Sequence, residues 1–206
     1  MIMPGSPGVL RRDAGNFLVR SRRHWVDGDT AVAVIDAPSD MQAKGLSDPF
    51  RESQRHADEL RAIAADLKAK FPGSKVAFVG TSAGTVSTAF VGKAMQDQLD
   101  AVVHTSTVAS DAPLRYFAYD AIKIRQLMVH HMDDGCRRCQ YSDAKAISVR
   151  FNIPLISVKG GRAEGDPCEG DPCQAMGHHG FRDRDAQVID AVKQWLRGDV
   201  YPTNIE

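Results

Sequence analysis

Residues 75–84 read Lys75-Val76-Ala77-Phe78-Val79-Gly80-Thr81-Ser82-Ala83-Gly84. The first half is a short apolar run of the kind that forms a strand buried on both faces. A helix is predicted directly after it, over residues 84–96, because that stretch is small and apolar. A strand that turns at once into a helix at G-x-S-x-G lifts the central hydroxyl above the sheet. The stretch therefore predicts an α/β fold and one candidate nucleophile, Ser82.

Similar apolar runs recur along the chain, each bounded by turn residues or charges. They cover residues 31–35, 101–104, 126–129 and 154–158. The stretches between and after them favour helices, over residues 52–70, 142–150 and 183–197. Alternating strands and helices predict a mostly parallel sheet with helices on both faces. We interpret residues 1–206 as one α/β domain.

The composition limits the classes of partner. The chain is 43% hydrophobic and 25% charged, which argues against a disordered or low-complexity protein. Because 26 basic residues balance 26 acidic ones, we expect no nucleic-acid partner. No apolar run approaches the roughly 20 residues that a membrane helix needs, so we expect no membrane partner.

Candidate partners for Ser82 follow the later strands, because the active site of an open parallel sheet lies at the carboxyl ends of its strands. A serine nucleophile needs a general base and an acid that orients the base. The run 126–129 leads into His130-His131-Met132-Asp133-Asp134-Gly135-Cys136, and the last strand is followed by Gly177-His178-His179-Gly180-Phe181. A phosphate-binding turn at Ser82 and solvated or capping carboxylates are the alternatives.

Ser82, an aspartate and a histidine follow one another in the chain order of the α/β-hydrolase triad. On these three motifs the chain resembles the α/β-hydrolase superfamily, and most of all compact, lid-poor serine hydrolases of the dienelactone-hydrolase type. The family's V-H-G-x-x-D pattern, laid on residues 129–134, implies that Asp134 is the acid, with Asp133 as the alternative. The family's base usually precedes a glycine, which favours His179 over His178.

The resemblance implies a serine hydrolase that cleaves an ester or related acyl bond of a small molecule, without a cofactor. The Ala83 N–H would bind the oxyanion, together with an N–H of Gly5 or Ser6 in the loop Pro4-Gly5-Ser6-Pro7-Gly8. An unstructured N-terminal segment is the alternative for that loop. A non-catalytic or zinc-stabilised binding module on the same scaffold is the alternative function, since fold alone does not establish activity.

The chain departs from the family before its first motif, since the two antiparallel strands that usually come first are not in the sequence. The run 31–35 would then lie at the edge of the sheet, although it is composed like a buried strand. An apolar open edge invites pairing with another chain. We therefore expect either that upstream strands are missing or that a homo-oligomer covers this edge.

The four cysteines form two close pairs, Cys136 with Cys139 and Cys168 with Cys173. The acid turn precedes one pair and the histidine loop follows the other, so an assembled triad would make the two pairs neighbours. We expect a Cys136–Cys173 disulfide first and a Cys139–Cys168 disulfide second, which would imply a periplasmic or secreted protein rather than a cytoplasmic one. The alternative is a structural zinc site. Its ligands would be these cysteines with His130, His131, His178 and His179.

Overall fold

The computed structural model describes residues 1–12, 15–161 and 171–206. Its centre is a six-stranded sheet in which neighbouring strands are parallel and follow one another in chain order. The strands are β1 (Ile2–Met3), β2 (Ala77–Thr81), β3 (Ala101–Thr105), β4 (Arg125–His131), β5 (Leu155–Val158) and β6 (Asn204–Ile205). The predicted parallel α/β fold is confirmed.

Helices cover both faces of this sheet. They are α1 (Phe17–Arg20), α2 (Arg22–Trp25), α3 (Asp48–Arg51), α4 (Gln54–Lys70), α5 (Gly84–Ala94), α6 (Tyr141–Phe151) and α7 (Asp185–Arg197). Successive strand residues point to opposite faces, so Val103 packs with α1, α2 and α7, whereas Val102 packs with α3, α4 and α5. In the described ranges, no helix combines the length and the hydropathy needed to cross a membrane.

The long helices begin and end where their sequences predict. The Ser53 hydroxyl accepts a hydrogen bond from the His56 N–H and caps the start of α4. The amphipathic helix α7 ends at Gly198, which adopts the left-handed conformation with φ of 85°. These helices hold the sheet from both sides and leave the carboxyl ends of its strands free for a site.

The run 31–35 lies at the edge of the sheet, beside β1. The Ile2 N–H donates to the Ala33 carbonyl at 2.8 Å, and the Ile35 N–H donates to the Ile2 carbonyl at 3.0 Å. Only one parallel bridge, between Ile2 and Val34, results, because β1 itself is two residues long. The run is thus at the expected edge but is not the full strand that its composition predicts. A homo-oligomer at this edge stays a prediction.

Candidate active site

Ser82 lies in the turn between β2 and α5 with φ of 53°, a left-handed conformation that is uncommon for a residue with a side chain. Its N–H donates to the Thr105 carbonyl at 3.0 Å, and its carbonyl accepts the Thr85 N–H at 2.9 Å. A Cβ on Gly84 would lie 2.5 Å from the Met3 carbonyl oxygen, so only glycine fits there. This is the strained strand-to-helix turn that the motif predicts.

Asp134 lies in the turn that follows β4. Its buried carboxylate accepts a hydrogen bond from Nδ1–H of His179 at 2.9 Å, and its other oxygen accepts the Cys136 N–H at 2.9 Å. The neighbouring Asp133 is exposed, and its backbone carbonyl accepts Nδ1–H of His178 at 3.2 Å. Of the two candidate acids and two candidate bases, the structure therefore brings Asp134 and His179 together.

His179 lies in a single turn of 3-10 helix, His178–Gly180, and its side chain is 3% exposed. Because Asp134 holds the proton on Nδ1, the Nε2 atom is left as the acceptor. That atom has no hydrogen-bond partner among the described residues. The Ser82 side chain lies in the same cavity and contacts the Cys139 thiol.

Two side chains that the sequence did not single out hold the histidine loop. Ser106, directly after β3, donates from Oγ to the His179 carbonyl at 2.7 Å. Arg20 on α1 donates to the carbonyls of Ala175 at 2.7 Å and Gly180 at 2.6 Å, and pairs with Asp185 at 2.6 Å. Each contact joins segments far apart in the chain, so no local motif could have indicated it.

The loop Pro4-Gly5-Ser6-Pro7-Gly8 follows β1 and packs against the Ser82 turn. A Cβ on Gly5 would lie 3.0 Å from Cβ of Ser82. Residues 1–5 are buried, so the alternative of an unstructured N-terminal segment is wrong. In the described part of the chain, the N–H groups of Gly5, Ser6 and Ala83 have no acceptor. All three residues line the cavity that contains Ser82.

This cavity has a volume of about 410 Å³, in the range of small-molecule sites. Ser82, after the carboxyl end of β2, and His179, in the loop that precedes α7, both line it. The remaining wall combines apolar side chains, Phe17 and Met176, with charged ones, Arg12, Arg138 and Asp171. Its chemistry suits a small ligand that has an apolar part and a polar part.

Two solved structures match the fold of this chain. One is an α/β serine hydrolase homologue from Coxiella burnetii, with a TM-score of 0.64, 12% identity and coverage of 95% of this chain and 82% of that one. The other is a lidless α/β serine hydrolase from Xanthomonas campestris, with a TM-score of 0.60, 14% identity and coverage of 88% and 75%. The protein has the α/β-hydrolase fold.

A third structure, a gene product of Listeria innocua, matches 99% of this chain and 96% of its own, with a TM-score of 0.51 and 13% identity. No protein-family model and no curated protein sequence matches the chain. These matches show the α/β-hydrolase fold.

A disulfide joins the two loops of the candidate site. Cys136, two residues after Asp134, is bonded to Cys173, which precedes the histidine turn. This is the first of the two expected pairings. Cys139 is a buried free thiol, and burial raises its pKa, so the thiol stays protonated. Cys168, its partner in the second expected pairing, lies outside the described residues.

The zinc alternative does not fit the donors of the described residues. One cluster of possible ligands combines Cys136, Cys139 and His179, but the Cys136 sulfur is bonded to Cys173 and cannot act as a thiolate ligand. A second cluster combines His131, Asp133 and His178, but Nε2 of His131 donates to the Gly160 carbonyl at 2.8 Å. Its Nδ1 accepts the Asp133 N–H at 3.1 Å, so both ring nitrogens are occupied. His130 is fully buried in the core.

Proposed function

We propose that the protein is a serine hydrolase that cleaves an ester or a related acyl bond through an acyl-enzyme. The observation that carries the proposal is the buried Asp134–His179 hydrogen bond, which leaves Nε2 as an acceptor beside the cavity of Ser82. A buried carboxylate on Nδ1 both fixes the imidazole tautomer and stabilises the imidazolium that forms when Nε2 takes a proton.

In the first half of the proposed reaction, Oγ of Ser82 turns from Cys139 towards Nε2 and attacks the acyl carbon. His179 takes the hydroxyl proton, and Asp134 stabilises the resulting charge. The oxyanion accepts hydrogen bonds from the Ala83 N–H and from an N–H of the loop after β1. His179 then gives its proton to the leaving alcohol, and the acyl group stays on Ser82. Hydrogen bonds of this kind commonly tighten only when substrate is bound.

In the second half, water replaces the alcohol. His179 takes a proton from the water as its oxygen attacks the acyl carbon, and the same N–H groups bind the oxyanion. Collapse of the tetrahedral intermediate breaks the bond to Oγ, and the proton returns from Nε2 to Ser82. The acid leaves, and the resting site is restored.

The segment between β3 and β4 supports small, soluble substrates. It forms two short turns of helix, Leu114–Tyr116 and Tyr119–Ala121, and the side chains of Leu114 and Tyr119 are buried in the core. Neither residue lines the cavity. The neighbour from Xanthomonas campestris is likewise a hydrolase without a lid.

The proposal is tested by turnover of p-nitrophenyl acetate with wild type and with Ser82→Ala. We expect Ser82→Ala to lower kcat by about 10³-fold or more, because no other residue supplies the nucleophile. A fluorophosphonate should label wild type at Ser82 and leave the variant unlabelled. Equal turnover by the two proteins would contradict the proposal, and no turnover by either would favour the non-catalytic binding module.

A further inference from the structure

A buried arginine lies behind the loop after β1. Arg51, the last residue of α3, is fully buried. Its Nη2 donates to the Gly5 carbonyl at 2.6 Å, and its Nη1 donates to Oγ of Ser87 on α5 at 3.1 Å. The loop closes around the guanidinium so tightly that a Cβ on Gly8 would lie 2.7 Å from Nη2. One side chain thus joins this loop to the helix that begins after Ser82.

The Gly5 carbonyl belongs to the same peptide unit as the Ser6 N–H. A trans peptide is planar, and its C=O and N–H point in opposite directions. Because Arg51 binds the carbonyl on the buried side, the Ser6 N–H points to the other side, where Ser6 lines the cavity with Ser82. The Gly5 N–H belongs to the preceding peptide unit, between Pro4 and Gly5, whereas the carbonyl that Arg51 binds belongs to the unit between Gly5 and Ser6.

We propose that Arg51 is a positioning residue of the oxyanion hole. It sets the Gly5–Ser6 peptide plane so that the Ser6 N–H, rather than that of Gly5, is the second donor beside Ala83. The inference rests on the proposed serine hydrolase function and adds to it a residue that touches neither substrate nor Ser82.

The surroundings of Arg51 suit this role. Nε2 of His56 lies 3.0 Å from Oγ of Ser87, and burial together with the charge of Arg51 lowers the pKa of His56 to about 3. His56 is therefore neutral at physiological pH, and its Nε2 can accept a hydrogen bond from the Ser87 hydroxyl while Oγ of Ser87 accepts one from Arg51. A cation that binds the Gly5 carbonyl also polarises the peptide unit and strengthens its N–H as a donor.

The effect of Arg51 should fall on kcat more than on KM. The oxyanion exists only in the transition state and the tetrahedral intermediates, so a misdirected N–H weakens transition-state binding and changes substrate binding little. A merely structural arginine would instead change the amount of folded enzyme and leave kcat per active site unchanged.

The test compares Arg51→Met, Arg51→Lys and Ser87→Ala in p-nitrophenyl acetate turnover. Active sites are counted by fluorophosphonate labelling taken to its end point, and thermal unfolding is recorded for each variant. We expect Arg51→Met to lower kcat per site by about 10²-fold with KM within about threefold of wild type. Arg51→Lys keeps a buried cation but replaces the planar guanidinium by a freely rotating ammonium, which fixes the direction of the Gly5 carbonyl less well, so a loss of about tenfold is expected.

Ser87→Ala is the matched control, because it removes a contact of the same guanidinium and leaves the bond to Gly5. Its kcat per site should stay within about threefold of wild type. If Arg51→Met does not fold, Arg51→Lys decides. A kcat per site of Arg51→Lys equal to that of wild type or of Ser87→Ala would overturn the inference. Absence of Ser82-dependent turnover in wild type would overturn the proposed function and the inference together, so the two failures are distinguishable.

Discussion

Two adjacent aspartates meet opposite environments at the end of β4. Asp134 is buried with a hydrogen-bond donor on each carboxylate oxygen, whereas Asp133 is exposed and binds His178 through its backbone. The turn decides between them, because it directs the carboxylate of Asp134 to the imidazole of His179, whereas Asp133 meets His178 through its backbone carbonyl. The sequence left both aspartates as candidate acids, and the backbone conformation of this turn distinguishes them.

This difference predicts the behaviour of two matched variants. Asp134→Asn should lower kcat by about 10³- to 10⁴-fold, because an amide that donates to Nδ1 favours the wrong tautomer of His179. Asp133→Asn carries the same chemical change one residue away and should stay within about threefold of wild type. The measurement is steady-state hydrolysis of p-nitrophenyl acetate. Similar losses in both variants would contradict the assignment of Asp134 as the acid.

At the scale of elements, the Cys136–Cys173 bond ties the turn after β4 to the segment that leads to α7. The cross-link spans 37 residues of sequence. A loop of that length is expected to stabilise the fold by about 3–4 kcal/mol, by restricting the unfolded chain. The bond also joins the turn that carries Asp134 to the segment that leads to His179, so its loss should affect both stability and rate.

We therefore predict that the double variant Cys136→Ala/Cys173→Ala loses about 3–4 kcal/mol of unfolding free energy in guanidinium titrations. Its kcat should fall as well, because the histidine loop then loses its covalent link to the turn that carries Asp134. Cys139→Ala is the control, since it removes a buried sulfur and keeps the disulfide. A phosphine reductant should lower the stability of wild type and of this control, and leave the double variant unchanged.

The elements that sequence predicted well are those whose signal is local. Periodic apolar positions predicted α4 and α7, and the glycine-flanked serine predicted the turn between β2 and α5. Strand β4 is longer than predicted, because His130 and His131 look polar in sequence but are buried in the sheet. The short helices α1 and α3 were not predicted, because long-range contacts of Arg20 and Arg51 hold them in place. The same holds for the candidate site. Its motifs are short stretches of sequence, whereas the side chains that hold them in place come from distant parts of the chain.

At the scale of the whole molecule, buried histidines link stability to pH. His56, His104 and His130 are buried, and burial is the largest cause that lowers the pKa of each, to about 3 for His56 and about 4 for His104. In the unfolded chain a histidine takes a proton near pH 6.5. Between these values the unfolded state binds more protons than the folded state, so the free energy of unfolding falls as the pH falls.

The expected dependence has a definite sign and window. The stability should be fully present above about pH 6.5 and decline below it, by up to about 1.4 kcal/mol per pH unit for each buried histidine. Denaturant unfolding at pH 7.5, 6.0 and 5.0 measures the slope above the range in which most carboxylates titrate. His104→Gln should flatten the slope by one proton even if it lowers stability at every pH. A wild-type stability that is constant from pH 7.5 to 5.0 would mean that these histidines are protonated inside the folded protein, which the complete burial of His104 argues against.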